Sequence, residues 1–574
     1  MMPSRFQSLS TEIFYEIFDY LPTYDLFHAF INVNDYFNSI VGSYPLRVDF
    51  RDLSRSKFDS VCSHLRPEQV VSLIFSETYL AEQVMIFEQY FPHFQSEFIH
   101  LRHVTFLETE DILLHLPSSV TALTFQFRDC FSRNQCIIDT IVKQASSLTY
   151  LKVDSWEMIK SINTSLPLLT HLYVVGHRYY CIHCDLSSVD VSSFVETLRS
   201  QIIHFEISMP HCHLRARPHA PLNLNYLSHC LTSLKLVNLT NESGLSMDVL
   251  RHLLAPLVNL KELTLILVCL LDVFDGQKWQ KFLSQTAITR FDFHLTLAGN
   301  VHFNGSGPLL LQSFRSTFWL QKKHWYMAFE QHSYRGRITR RTIYSIPRFL
   351  PGCVHYTNRF CPPMSTVTSN YEQQIFYSRP IQSLLFNFNQ SIIQPIYRFA
   401  HVHRLILVGS LLPSVDRLMS VLDLTQIQVL DLSEIKDLSI DGIYSLIQSM
   451  PRLNHLIFEH FIPLFIPPAN IYSFTINQWR FSDDLDHFCR IFARVKSLDI
   501  NIQSHEMIFT LIKRLKHLEH AILRYRFEKY PAYWIMKTLK RKIWHLIGKH
   551  LTYTEEDYYV LLSIGKKTKK EHRV

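Results

Sequence analysis

The chain has 574 residues, 47% hydrophobic and 19% charged, with 42 Phe, 27 Tyr and only 13 Gly. That composition excludes a disordered or collagen-like chain, and the length exceeds what one simple core holds unless units repeat. The formal charge of +7 is uneven: residues 537–574 hold ten Lys/Arg against four Asp/Glu, residues 299–352 hold eight against Glu330 alone, and the rest is mildly acidic, which argues against a long nucleic-acid groove.

No charged-then-apolar leader opens the sequence, and the longest apolar run, Leu263 to Leu271, is far short of a membrane span. Eleven cysteines at irregular spacing fit reduced thiols. The expectation is an intracellular protein, cytoplasmic and/or nuclear, with no membrane partner.

Residues 6–45 predict three short amphipathic helices. Ser10 is a fair N-cap, Glu12 lies in the first turn, Ile13, Phe14, Ile17, Phe18 and Leu21 recur at helical spacing, and Pro22 stops the helix. Thr23 or Asp25 can cap the second helix, with Leu26, Ala29, Phe30 and Val33 on its apolar face. Asn34 or Asp35 opens a third with Tyr36, Phe37, Ile40 and Val41, ended by Gly42. Forty residues cannot bury this surface alone, so the segment packs on the chain or on a partner.

Leu9-Ser10-x-Glu12-Ile13, Ile17, Tyr20-Leu21-Pro22, Asp25-Leu26, Ala29-Phe30, Val33-Asn34 and Phe37 resemble the F-box motif, with Ser10 where the family usually has proline. The resemblance covers about residues 6–46. It implies docking on the Skp-type adaptor, and through it on the cullin scaffold, of a ubiquitin ligase. The implied adaptor-binding residues are Leu9, Glu12, Ile13, Ile17, Leu21, Pro22, Asp25, Leu26, Phe30, Val33 and Phe37.

Beyond residue 46, strand and helix patterns alternate: strands at 46–50, 70–75 and 101–106, helices at 54–65 and 81–90, which favours a parallel sheet. A unit of the form apolar-x-x-apolar-x-apolar begins at Val70, Leu101, Val120, Leu148, Leu169, Ile202, Leu231, Leu260 and Ile288. It returns at Ile381, Val402, Ile427, Leu453, Ile471, Val495 and Leu518. The intervals are mostly those of one strand plus one helix, and prolines such as Pro117, Pro167, Pro256 and Pro451 stop a helix just before the next strand. A helix stop followed by Leu-x-x-Leu-x-Leu resembles a leucine-rich repeat.

Between about 299 and 380 the pattern breaks. Phe318–Phe329 reads as a strand, Ser333–Gly336 as a turn and Arg337–Ile346 as a return strand, together an inserted hairpin. Trp325, Tyr334, Arg337, Arg340 and Arg341 give it the composition of a recognition surface for an acidic protein substrate. A helix is expected over Tyr533–Lys549, followed by a basic tail.

Catalytic signals are poor: there is no phosphate-binding glycine loop and no His-Glu-x-x-His pair. Cys181, Cys184, His177, His211, Cys212 and His213 are the sharpest metal candidates, but their spacing is irregular and the cysteines are read as small buried hydrophobes. No enzyme activity, metal or cofactor is expected.

The expected fold is therefore α/β: a short N-terminal three-helix F-box-like unit (1–48), then an irregular leucine-rich-repeat-like solenoid (49–298 and 381–525) with an inserted β-hairpin in a basic aromatic insertion (299–380), then a C-terminal helix and basic tail (526–574). The expected function is substrate recognition for a cullin–RING ligase. Two other readings stay open at this point: a binding scaffold without a ligase role, and an RNA-associated protein using the two basic patches, although nucleic acid is not the expected partner.

Overall fold

The computed structural model describes residues 9–525, 549–556 and 559–566, apart from 52, 78–79, 81, 110–114, 127–133, 155–161, 163, 176–200, 209–223, 238–243, 299–306, 335–336, 347, 350–352, 357–363, 368–380, 388–397, 479–484 and 503–504. The first helices are α1 (Thr11–Phe18), α2 (Thr23–Phe30), α3 (Asp35–Ser43), α4 (Arg55–His64) and α5 (Gln83–Tyr90). Pro22, not Thr23 or Asp25, sits at the N-cap of α2, because the Thr23 hydroxyl instead donates to the Arg47 carbonyl, 3.1 Å away.

Strands β1 (Leu46–Asp49), β2 (Val70–Ser76), β3 (His103–Leu107), β4 (Ala122–Gln126), β5 (Tyr150–Val153), β6 (His171–Val175), β7 (His204–Ser208), β8 (Ser233–Val237), β9 (Glu262–Cys269) and β10 (Arg290–Leu297) pair in chain order, all parallel. β11 (Tyr326–Tyr334), β12 (Arg337–Ile346) and β14 (Met364–Ser365) complete a thirteen-stranded sheet by antiparallel pairing, β12 lying directly on β10.

A second sheet of ten strands starts afresh at β13 (Cys353–Tyr356). It continues in parallel through β15 (Ser383–Asn387), β16 (Arg404–Leu411), β17 (Val429–Asp437), β18 (His455–His460), β19 (Ser473–Gln478), β20 (Ser497–Ile502) and β21 (His520–Tyr525). It ends on the antiparallel hairpin of β22 (Lys549–Glu556) and β23 (Tyr559–Lys566), with β23 between β21 and β22.

These pairings correct the expected fold class. The strands join into two large sheets of mixed direction with helices interspersed, and not into a separate helical unit followed by one leucine-rich-repeat-like solenoid carrying an inserted hairpin. Phe14, Phe18 and Leu26 belong to the same hydrophobic core as β1–β10, so the first helices are a layer of that core. The β11–β12 hairpin is part of the first sheet, because β12 hydrogen-bonds to β10 through His294↔Tyr344, Leu295↔Ile343 and Thr296↔Thr342.

The expected strand over Phe318–Phe329 is also corrected. Phe318–Lys322 forms a wide π-type helical turn, and the strand begins only at Tyr326. That turn seats Trp319 in the core, where its indole N–H donates to the Gly276 carbonyl. The helix expected over 533–549 lies outside the described residues except for Lys549, which starts β22.

Alternation of side chains builds the core. In most units the first apolar residue is buried at the entry to the strand, as at Leu101, Val120, Leu148, Leu169 and Ile202, and the strand begins two residues later. Inward-facing phenylalanines stack across β1–β4: Phe50 on Phe75 (5.6 Å), Phe75 on Phe106 (5.8 Å) and Phe106 on Phe125 (5.6 Å). Offset rings at such spacing add to plain area burial. The second sheet has its own core, from Ile381 to Leu523.

Candidate docking surfaces

In the N-terminal layer, aromatic contacts fix the three helices to one another. Phe14 meets Phe37 edge-on at 5.5 Å, and Phe18 packs on Phe30 at 5.0 Å and on Tyr44 at 5.3 Å. The Asn34 side chain caps α3 by accepting the Phe37 N–H at 3.0 Å. Asn32, at φ 63°, takes the left-handed turn that asparagine tolerates, and its N–H donates to Asn38 Oδ1 at 2.9 Å. The Tyr36 hydroxyl donates to the Leu9 carbonyl at 3.0 Å, which ties the entry segment to α3. The Tyr44 hydroxyl donates to Asp19 Oδ1 at 2.6 Å; burial, then the bond to Asp19, pushes its pKa well up.

With the interior so filled, four large apolar side chains of this layer remain in solvent: Ile13 (42% exposed), Tyr20 (88%), Val33 (55%) and Tyr36 (39%). Tyr20 also lines a cleft of about 320 Å³, together with Asp19, Leu21, Thr23 and Arg47. Of the residues that the motif resemblance implied for docking, Glu12, Ile13, Pro22, Asp25 and Val33 are exposed, and Leu9, Ile17, Leu21 and Phe30 are half-buried. Leu26 and Phe37 are 1% and 5% exposed, so they hold the layer together from inside. Tyr20 and Tyr36, also exposed on this layer, were not among the residues expected to dock. The available signal was that Tyr20 falls outside the helical phase set by Phe14 and Phe18. The Ser10 hydroxyl holds the Glu12 carboxyl below its usual range, so this exposed group is a firm anion at the start of α1.

The basic aromatic region divides between core and surface. Trp325 packs on Phe291 (5.8 Å) and Trp319 (5.9 Å), with the Lys323 amine 5.0 Å from its ring centroid, so it anchors the π-type turn. In the hairpin Tyr334 pairs with Arg337, His332 with Arg340 and Gln331 with Arg341. Arg340 and Arg341 are consecutive in β12. Arg348, beyond the hairpin, bonds to Asp292 on β10. Cys181, Cys184, His177, His211, Cys212 and His213 lie outside the described residues.

The third surface is the face of each sheet opposite its core. One side chain per strand aligns across the first sheet in the row Lys152, Tyr173, Glu206, Lys235, Thr264 and Asp292. A neighbouring row holds Tyr150, His171 and His204, the two imidazoles stacked at 4.3 Å. Burial, then the neighbouring His204, lower the pKa of His171. Glu206 is bridged by the Lys235 amine at 2.7 Å.

On the second sheet the same face carries Asp431, paired with Arg404 at 3.3 Å, and Asp499, paired with Arg524. His455 Nε2 lies 3.0 Å from the Thr475 hydroxyl. Burial, helped by Arg404, lowers His455 to about 4; burial raises Asp499 to about 6 against the pull of Arg524. Apart from Arg524, which follows its unit, these groups occupy x positions of the sequence unit, where polarity marked the open face but not the partners.

No protein-family profile matches the chain, and no curated protein matches it. Among the described residues, no helix is long and apolar enough to cross a membrane.

Proposed function

We propose that the chain is a substrate-recognition subunit of a cullin–RING ubiquitin ligase, with the α1–α3 layer docking on a Skp-type adaptor and the strand-bearing body taking the protein substrate. One observation carries this reading. The layer that bears the motif residues satisfies its own interior and still leaves Ile13, Tyr20, Val33 and Tyr36 exposed, with Tyr20 on the wall of a cleft. Large apolar side chains left in solvent on a layer whose interior is already filled are what an association site offers. Glu12 and Asp25 supply charge around it, as the polar rim of an interface does.

The test is capture of the endogenous adaptor by the tagged full chain, compared with Ile13→Asp/Tyr20→Asp. Tyr20 lies largely in solvent and Ile13 is 42% exposed, outside the fully buried core, so this double variant, checked for wild-type melting, is expected to keep the fold and lose the adaptor. Retained capture with both aspartates in place rules the reading out.

A further inference from the structure

On the open face of the first sheet the charges do not cancel. Glu206 is held by the Lys235 amine, and the Glu262 carboxylate accepts from the Ser233 hydroxyl at 3.3 Å. At the β10 end of the face, Asp292 is shared by two guanidiniums, Arg290 at 3.0 Å and Arg348. One carboxylate thus serves two cations, and Arg290 is left unbalanced. At the β5 end, Lys152 stands between Thr124 of β4 and Tyr173 of β6. Among the described residues Lys152 has no ion-pair or hydrogen-bond partner. Asp154, two residues on, is buried just past the end of β5.

Around Lys152 the face is built of rings. Tyr150, on the same side of β5, lies 5.0 Å from the Tyr173 ring and 6.2 Å from His171, which stacks on His204. All four are half-buried, so they offer flat contact area with little side-chain freedom to lose. The Tyr173 hydroxyl has no hydrogen-bond partner among the described residues and is a donor to spare. A cation set among half-buried rings is screened less than one on an open surface, so a carboxylate placed there gains more.

Lys152 and Arg290 are five strand spacings apart, about 24 Å, a span that about seven residues of extended chain cover. Between them lie Glu206 and Glu262. A nucleic acid, with a phosphate at every residue, would meet those carboxylates, whereas a peptide need carry charge only at its ends.

We propose that this face takes an extended acidic peptide segment laid across the strands, with one carboxylate on Lys152 and Tyr173, a second at Arg290, and the side chain beside the first on the His171–His204 stack. This rests on the reading of the strand-bearing body as the substrate-binding part and names the substrate class. It does not rest on the adaptor surface.

The probe is a fluorescein-labelled heptapeptide with glutamate at both ends and tyrosine, serine and glycine between, titrated with the full chain and followed by anisotropy. Saturable binding is expected, weakened about tenfold by Lys152→Gln. Lys278→Gln removes the same charge from an exposed position in the helix Gly276–Leu283 and is expected to weaken binding less than about twofold. Equal affinity of the wild type and Lys152→Gln overturns the site, as does tighter binding of a single-stranded RNA heptamer than of the peptide. On the unaltered protein, carbodiimide coupling of the bound peptide, mapped by mass spectrometry, is expected at Lys152. Coupling confined to other lysines overturns the placement. Lys152→Gln is expected to keep adaptor capture, so a failure here and a failure of the adaptor reading are told apart.

Discussion

Asp499 and His455 lie two strands apart on the open face of the second sheet, and burial shifts them in opposite directions, which makes the sheet's acid response a test of the structure. His455 falls from 6.5 to about 4 on folding. The unfolded chain therefore binds the extra proton, and this contribution is fully present above pH 6.5 and lost as the pH falls towards 4. At about 1.4 kcal/mol per pKa unit, the loss is about 3 kcal/mol. Asp499 rises from 3.8 to about 6. The folded state binds the extra proton there, so stability grows by about 3 kcal/mol as the pH falls through 6 towards 3.8. The two terms oppose each other over the same window and nearly cancel.

The perturbation is Asp499→Asn, which keeps the shape and removes the titration. The opening free energy of β18–β20, from hydrogen exchange corrected for intrinsic rates, is expected to change by about 1 kcal/mol or less between pH 7 and pH 4 in the wild type and to drop by about 3 kcal/mol in Asp499→Asn. His455→Gln is expected to give the opposite slope. A profile for Asp499→Asn that superimposes on the wild type would refute the burial argument for this face.

Three further outcomes follow from the core. Leu26→Ala is expected to cost about 2–5 kcal/mol in the first core, read from exchange in α1–α3, whereas Tyr20→Ala in the same layer costs less than about 0.5 kcal/mol. Gly276→Ala places a Cβ 2.6 Å from the Ser313 carbonyl oxygen, a backbone atom that cannot swing aside, and is expected to loosen the Trp319 turn, seen as a red shift and loss of intensity in tryptophan emission. Thiol labelling mapped by mass spectrometry is expected to modify exposed Cys136 rapidly and to spare Cys62 and Cys269, where burial holds the thiols protonated.

Strand positions were legible because the signal is local. An apolar residue such as Leu148 or Leu453 must be buried at the turn into a strand, and the next two apolar residues must face the same core. What the strands join was not local. The break between the sheets, and the seating of β12 on β10, rest on antiparallel pairings such as His294↔Tyr344 that no periodicity announces. In the first helices every face is apolar enough to be the inner one. Leu26 and Phe37, which the resemblance implied for docking, are buried, while Tyr20, which carries the motif but was not among the implied docking residues, is exposed.

Trp325 shows that a residue read by composition as part of a recognition surface also serves packing. Arginine mixed with aromatics describes an interface when all of them reach solvent, but a wide helical turn needs an aromatic cluster to fill its radius. Phe318, Trp319 and Trp325 do that filling, and Lys323 lies against the last ring. The same residue types thus divide into an anchor and a strand-borne basic remainder. Arg348, past the end of β12, is paired with Asp292 on the neighbouring β10, so one cation of this region is already spent within the sheet.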